Sequence, residues 1–174
     1  EWGRSVNDCM KNYLADVWSL DAAIGRLLTK LDELGLSENT VVVFASDQGP
    51  ARNTLNTRKA NQVGDTTRAN MMGWTKGLRG GKHETYEGGP RIPFIVRWPG
   101  QVEPGSVCHQ LVHQADLMAT LADVTDASLT MDQAEDSFSI LPLLQGQDTP
   151  IRTTSISCSI RGVPSLRDGA WKYI

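Results

Sequence analysis

The run Val41-Val42-Val43-Phe44-Ala45-Ser46 predicts a β-strand, and it stops on Asp47-Gln48-Gly49. Because its hydrophobicity is unbroken, we expect a parallel strand that helices cover on both faces. In sheets of that kind, ligands bind beyond the carboxyl ends of the strands, which is where Asp47 and Gln48 lie. The run therefore predicts an α/β fold with a candidate site at the end of this strand.

Two segments carry groups that suit a charged ligand. Asp47 offers a carboxylate oxygen and Gln48 a side-chain carbonyl, both hard ligands suited to Ca²⁺ or Mg²⁺ rather than to zinc or copper. Lys82 follows two glycines, whose flexible backbone lets an ammonium and neighbouring N–H groups approach an anion closely. These residues indicate an anion-processing site that holds a cation and an oxyanion side by side. On the residues alone, an ordinary turn at 47–49 and an exposed lysine at 82 remain open alternatives.

A long amphipathic helix is predicted upstream of the strand. Between residues 13 and 34, apolar side chains recur at helical spacing, namely Leu14, Val17, Ile24, Leu27, Leu28, Leu31 and Leu34. Asp21 falls on this stripe, so we expect its carboxylate to be buried and satisfied by a structural hydrogen bond. Gly35 is well placed to cap the helix at its C-terminus.

Further elements are predicted downstream of the strand. Residues 50–77 are polar and show no sustained period, which predicts a long loop that covers the pocket, or an irregular surface insertion. Residues 94–98 predict a second strand. An alternating strand is expected at 155–160, with residues 171–174 paired near it. Residues 114–124 predict a short helix whose inward side chains are Leu117, Met118, Leu121 and Ala122.

Composition and charge exclude several classes of protein. A formal net charge of -3 and a pI of about 5.6 do not suggest a nucleic-acid binder. No apolar run approaches the ~20 residues that span a bilayer. Three widely spaced cysteines argue against a zinc site or a disulfide framework. Between residues 51 and 91, however, eight basic residues stand against three acidic ones, which would attract an anionic substrate unless they are scattered over a solvated loop.

Three motifs make the chain resemble the formylglycine-dependent sulfatases of the alkaline phosphatase superfamily. They are Ser46-Asp47-Gln48-Gly49, Gly-Lys-x-x-x-Tyr-Glu-Gly-Gly-x-Arg-x-Pro at residues 81–93, and Arg97-Trp98-Pro99-Gly100. Residues 20–28 look like the helix that precedes the metal strand in that family, and residues 165–174 look like a late strand of it. The resemblance spans nearly the whole chain.

The resemblance implies a division of the chain into two parts. Residues 1–148 would be the C-terminal portion of a sulfatase α/β domain, with a sheet flanked by helices. Residues 149–174 would begin a small antiparallel C-terminal subdomain.

The resemblance also assigns roles to the residues of the candidate site. Asp47 and Gln48 match the late Asp-Asn pair that binds calcium in sulfatases, with Gln48 one methylene longer than the commoner Asn; magnesium is the alternative ion. Lys82 matches the lysine that contacts the sulfate group and helps stabilise charge on the leaving oxygen, so it is the expected catalytic residue. The family position of His83 is variable, so its role does not come from the resemblance; because it is adjacent to Lys82 and could donate a proton or a hydrogen bond, it is a candidate substrate-binding residue.

One part of the family's site has no counterpart in these 174 residues. Sulfatases carry near the N-terminus a Cys/Ser-x-Pro/Ala-x-Arg motif, whose first residue is oxidised to the formylglycine nucleophile, and an earlier pair of metal-binding aspartates. Neither occurs here, and the chain opens at Glu1 without an initiator Met. We therefore expect a C-terminal part that needs the N-terminal half of the sulfatase fold and is inactive when isolated.

The function that the resemblance implies is calcium-dependent hydrolysis of sulfate esters, with carbohydrates as the expected substrates. The expected partner is a sulfated small molecule or glycan, and the expected location is secreted or periplasmic. Two alternatives stay open. One is a phosphodiesterase or phosphonate monoester hydrolase of the same superfamily, and the other is a truncated, non-catalytic paralogue that serves as a binding module.

Overall fold

The computed structural model of the protein describes residues 8–51, 75, 77–130 and 132–174. In chain order their elements are α1 (Asp8–Glu33), a 3₁₀ turn (Ser37–Asn39), β1 (Val42–Ala45), β2 (Phe94–Arg97), α2 (Asp116–Val124), α3 (Leu141–Leu144), β3 (Thr154–Cys158), β4 (Pro164–Asp168) and β5 (Trp171–Tyr173). The expected α/β class is confirmed. The chain divides into two compact units, which are the described parts of Glu1–Thr40 with Ser46–Ile92, and of Val41–Ala45 with Pro93–Ile174.

α1 confirms the predicted amphipathic helix and begins earlier than expected. After it, Gly35 adopts a left-handed φ of 66°. The N–H of Gly35 donates to the Asp32 carbonyl (3.0 Å), and the N–H of Leu36 donates to the Leu31 carbonyl (2.9 Å). Glycine accepts this conformation without a Cβ clash, so the predicted cap is confirmed. Asp21 is exposed, so its predicted burial is wrong. The helical periodicity places Asp21 on the apolar face of α1, but it does not specify whether other residues cover that face.

β1 and β2 confirm two predicted strands, and they pair with each other in the second unit. The pairing is antiparallel, with Val42 opposite Arg97 and Ala45 opposite Phe94. The parallel arrangement expected for β1 is therefore wrong for this pair, because an apolar run reports burial and does not specify the direction of the neighbouring strand. Val43 is 36% exposed, so the described residues do not cover both faces of β1.

α2 confirms the helix predicted at 114–124 but starts at Asp116 and buries a partly different face. Its buried residues are Asp116, Thr120 and Ala122, so the predicted inward position of Ala122 is confirmed. Met118 and Leu121 are 54% and 48% exposed, so the predicted inward position of these two side chains is wrong.

Hydrogen bonds from residues outside α2 explain why the polar side chains of Asp116 and Thr120 are buried. The N–H groups of His113 and Phe138 donate to the Asp116 carboxylate at 2.7 and 3.0 Å. The N–H of Ile140 donates to the Thr120 hydroxyl at 3.0 Å. Because a buried carboxylate must be hydrogen-bonded, these contacts outweigh the preference of the apolar stripe for burial.

Beyond residue 149, β3, β4 and β5 form an antiparallel sheet in that order. β3 confirms the strand predicted at 155–160, although it begins and ends earlier. β5 pairs with β4, which is the neighbour of β3 in this sheet, so the predicted pairing of this segment near β3 is confirmed. Residues 165–174 therefore form a hairpin rather than a single strand, because Gly169 turns the chain with a left-handed φ of 54°.

Three other predictions concern the loop, the domain boundary and the membrane. Most of the loop predicted at 50–77 lies outside the described residues. The domain boundary predicted after residue 148 stays a prediction. Within the part of the chain that the structure describes, no helix combines the length and the apolar character needed to cross a membrane.

Candidate active site

The residues singled out from the sequence come together in the first unit. They lie on two turns, which we call the Asp47 turn (residues 46–50) and the Lys82 turn (residues 79–91). The two side chains after which the turns are named are 35 positions apart in the chain and in direct contact. The site is thus built from distant parts of the sequence.

Backbone hydrogen bonds tie the two turns together. The N–H of Gly49 donates to the Gly89 carbonyl (2.7 Å), and the N–H of Lys82 donates to the Pro50 carbonyl (2.9 Å). The approach is so close that a Cβ added to Gly49 would overlap the carbonyl oxygen of Gly88. Glycine is therefore required at position 49 by the space between the turns.

Gly49→Ala is expected to destabilise the protein by about 1–3 kcal/mol, because the added methyl group must push two backbone segments apart. Urea unfolding measures the loss. Gly25→Ala is the matched control, since a Cβ at this position of α1 meets nothing within 4 Å. That control should be stabilising by about 0.5–1 kcal/mol, because alanine is the better helix former. Equal stabilities for the two variants would contradict the tight approach.

Lys82 and Asp47 form an ion pair between the turns. Lys82 Nζ lies 2.5 Å from Asp47 Oδ2, and the two side chains are 30% and 72% exposed respectively. The hydrogen bond from Lys82 is the main cause that lowers the pKa of Asp47 below its ordinary value of 3.8. A lowered folded-state pKa contributes stability above the unfolded pKa, and that stability is lost as the pH falls through the folded value. At neutral pH Asp47 therefore presents an ionised carboxylate to Lys82.

The side chain of Gln48 contacts the backbone of His83. The backbone N–H of His83 donates to Gln48 Oε1 at 2.7 Å, and His83 is an exposed residue. His83 has a φ of 73°, a left-handed conformation that is uncommon for a residue with a Cβ. The structure thus gives the backbone of His83 a defined contact, and the role predicted for its ring stays a prediction.

Three residues of the Lys82 turn were missed as contributors to the site. Glu84 accepts the N–H of Gly81 at 3.0 Å, which closes the turn around Lys82. Arg79 donates to the Tyr86 hydroxyl (2.8 Å), and its guanidinium lies 3.7 Å from the ring centroid. Nothing in the spacing of the sequence predicts these contacts; the only signal was the density of polar residues around the glycines.

The side-chain oxygens of Asp47 and Gln48 are hard ligands of the type that Ca²⁺ and Mg²⁺ prefer. Calcium takes six to eight oxygen ligands, so two residues are too few to enclose it. Among the described residues, no group of three or more His, Cys, Asp or Glu side chains could hold a metal ion. Gln48 Oε1 already accepts one hydrogen bond, but a carbonyl oxygen keeps a second lone pair for another contact.

Comparisons with known proteins place the chain in a family. The model of the Sulfatase family matches residues 4–127. An N-acetylgalactosamine-6-O-sulfatase from Bacteroides thetaiotaomicron is 36% identical over 160 residues, which cover 91% of this chain and 30% of the relative. Arylsulfatase A from Homo sapiens is 38% identical over 158 residues, which cover 88% of this chain and 28% of the relative.

A solved structure leads to the same family. It comes from work on the metabolism of multiple glycosaminoglycans by Bacteroides thetaiotaomicron. It matches this chain with a TM-score of 0.70 and 34% sequence identity, and the match covers 88% of this chain and 31% of that one. The chain therefore spans about 30% of the length of the relatives that it matches. The family match covers most of the sequence, and the fold agrees with it. The chain belongs to the sulfatase family.

Proposed function

We propose that this chain supplies the sulfate-binding and cation-binding side of an active site that hydrolyses sulfate esters. The observation that supports the proposal best is the 2.5 Å contact between Lys82 Nζ and Asp47 Oδ2. It is made between two turns whose backbones are tied together. An ammonium and a carboxylate held in this way can bind a sulfate oxygen and a metal ion at neighbouring positions.

Lys82 would act electrostatically. When the ester bond breaks, negative charge develops on the leaving oxygen and remains on the oxygens of the sulfate group. An ammonium that is already in place stabilises this charge without reorganisation at the moment of reaction. Because only 30% of the Lys82 side chain is exposed, water screens its charge less than that of a surface lysine.

Asp47 and Gln48 would hold the cation, for which we propose Ca²⁺, with Mg²⁺ as the alternative. The remaining ligands would come from substrate, water or polypeptide outside the described residues. A bound ion would supply Lewis-acid stabilisation of the sulfate oxygens. The formylglycine that the family implies would supply the nucleophile, and no Cys/Ser-x-Pro/Ala-x-Arg motif for it occurs in these 174 residues.

The proposed substrate class is a sulfated carbohydrate. One relative is named for a sulfated amino sugar, and the matching structure is described under glycosaminoglycan metabolism. The other relative is named arylsulfatase A, which points to an aryl sulfate as substrate. The proposal therefore names sulfated carbohydrates as a class and does not specify one sugar. A secreted or periplasmic location remains a prediction from the resemblance.

The test is a comparison of two chromogenic esters with the protein expressed from its natural gene. With calcium present, kcat/KM for p-nitrophenyl sulfate should exceed that for p-nitrophenyl phosphate by at least about tenfold, a difference of ~1.4 kcal/mol in transition-state stabilisation. Chelation should abolish the activity, and added calcium should restore it. A tenfold preference for the phosphate would favour the phosphoester hydrolase. Binding of a sulfated glycan without turnover would favour the non-catalytic paralogue.

A further inference from the structure

We infer that Gln48 is a positioning residue, whose side-chain amide oxygen holds the Lys82 turn against the Asp47 turn. The inference rests on the proposed function in so far as Lys82 is taken as the sulfate-binding residue. Its structural basis is independent of that role. The amide oxygen lies 2.7 Å from the backbone nitrogen of His83, the residue that directly follows Lys82.

Two adjacent N–H groups anchor the backbone of Lys82. The N–H of Lys82 itself donates to the Pro50 carbonyl at 2.9 Å, and the next N–H, that of His83, donates to Gln48. Both acceptors belong to the Asp47 turn. Consecutive anchors on one partner fix the direction of the Cα–Cβ bond between them, and with it the path of the Lys82 side chain towards Asp47.

The conformation of His83 shows that this arrangement needs support. A left-handed residue with a Cβ is disfavoured by roughly 1–2 kcal/mol, and His83 has a φ of 73°. Such strain persists only where the surroundings enforce it. The hydrogen bond to Gln48 Oε1 is the contact made by the strained residue's own N–H, so its loss should release the turn.

The length of the Gln48 side chain matters for this bond. The Gln48 carbonyl accepts the Ser46 hydroxyl at 2.7 Å, which fixes the backbone from which the side chain extends. A side chain shorter by one carbon–carbon bond would place the amide oxygen up to about 1.5 Å further from the His83 nitrogen. At about 4 Å the hydrogen bond no longer exists. Asparagine keeps the amide but cannot keep the contact.

The experiment compares Gln48→Asn with Gln48→Glu in the protein expressed from its natural gene. In Gln48→Asn, amide hydrogen exchange at His83 should accelerate by about tenfold, which corresponds to loss of one hydrogen bond. kcat for p-nitrophenyl sulfate should fall by about tenfold, while the urea midpoint should fall only by the small amount that loss of one hydrogen bond produces. In Gln48→Glu, whose carboxylate reaches as far and accepts the same N–H, the slow exchange should be retained.

Gln101→Asn is the control, because it makes the same chemical change on an exposed side chain; it should alter neither measurement. Unchanged His83 exchange in Gln48→Asn would overturn the inference whatever the activity. Faster exchange without a change in kcat would also overturn it, since the bond would then not position Lys82. If the wild-type protein hydrolyses no sulfate ester, the proposed function fails. The inference that Gln48 positions a sulfate-binding Lys82 then fails with it, even where the exchange data show the hydrogen bond.

Discussion

Lys82→Met is expected to lower kcat for sulfate-ester hydrolysis by about 100- to 1,000-fold, the loss typical when one charge-stabilising group is removed from an active site. Methionine retains an apolar stem of similar length and removes only the ammonium that lies 2.5 Å from Asp47. The free energy of unfolding should change by only about 0–1 kcal/mol, because the Asp47 side chain is 72% exposed and solvent screens the pair. A large kinetic effect with a small effect on stability would identify Lys82 as catalytic.

A second measurement on Lys82→Met is the pKa of the Asp47 carboxyl group, which does not depend on the rate of the reaction. Because Lys82 is the main cause of the lowered pKa of Asp47, the pKa of Asp47 should rise towards its ordinary value in Lys82→Met, as measured by carbon NMR of labelled aspartate. Lys30→Met is the matched control, since Lys30 lies on the exposed face of α1 and pairs with Glu33 at 3.0 Å. A kcat for Lys82→Met within about threefold of the control value would remove Lys82 from the catalytic site.

Local signals were sufficient to predict several elements of the fold and the residues of the candidate site. Periodicity predicted α1, apolar runs predicted β1 and β2, and the Gly-Lys and Asp-Gln motifs predicted that a lysine and two oxygen ligands belong to one site. Each of these signals lies in one short segment, where the spacing of neighbouring residues is visible in the sequence.

The features that could not be predicted depend on contacts between distant residues. The antiparallel pairing of β1 with β2 is one, because both directions suit an apolar strand. The hydrogen bond from the His83 backbone to Gln48 is another, since it joins residues 35 positions apart and involves a backbone N–H that every residue except proline carries. The burial of Asp116 in α2 is a third. Its partners lie outside the helix, so the apolar pattern within the helix could not predict it.

Asp116 and Arg152 form a buried ion pair in the second unit. The Asp116 side chain is 0% exposed and that of Arg152 is 10% exposed. Arg152 Nε donates to Asp116 Oδ2 at 3.0 Å, and its Nη2 donates to Oδ1, which gives a two-pronged contact. Arg152 Nη2 also donates to the Asp136 carbonyl at 2.9 Å. The pair therefore joins α2 to the segments on either side of α3.

Arg152→Ala is expected to destabilise the protein by about 3–5 kcal/mol, because it leaves the Asp116 carboxylate buried without its cation. This is a large fraction of the roughly 5–15 kcal/mol that keeps a domain folded. Urea unfolding gives the value directly, and the melting temperature should fall by about 10 °C. Arg161→Ala, at an exposed position, should change stability by less than about 0.5 kcal/mol.

Arg152→Ala removes both the partner of the Asp116 charge and the packing of the Arg152 side chain. Repeating Arg152→Ala in an Asp116→Asn background separates these two causes of destabilisation. Asparagine keeps one acceptor oxygen, which can serve the N–H of His113 or that of Phe138 but not both, since these groups donate to different oxygens of Asp116. It leaves no charge to be stranded, and the cost of the lost acceptor is present in both members of the comparison. If the ion pair is responsible, Arg152→Ala should cost about 0.5–3 kcal/mol less in this background than in wild type. An equal cost in both backgrounds would contradict that cause. It would assign the effect to the Arg152 guanidinium stacked 4.8 Å from the Phe138 ring centroid and to its bond with the Asp136 carbonyl.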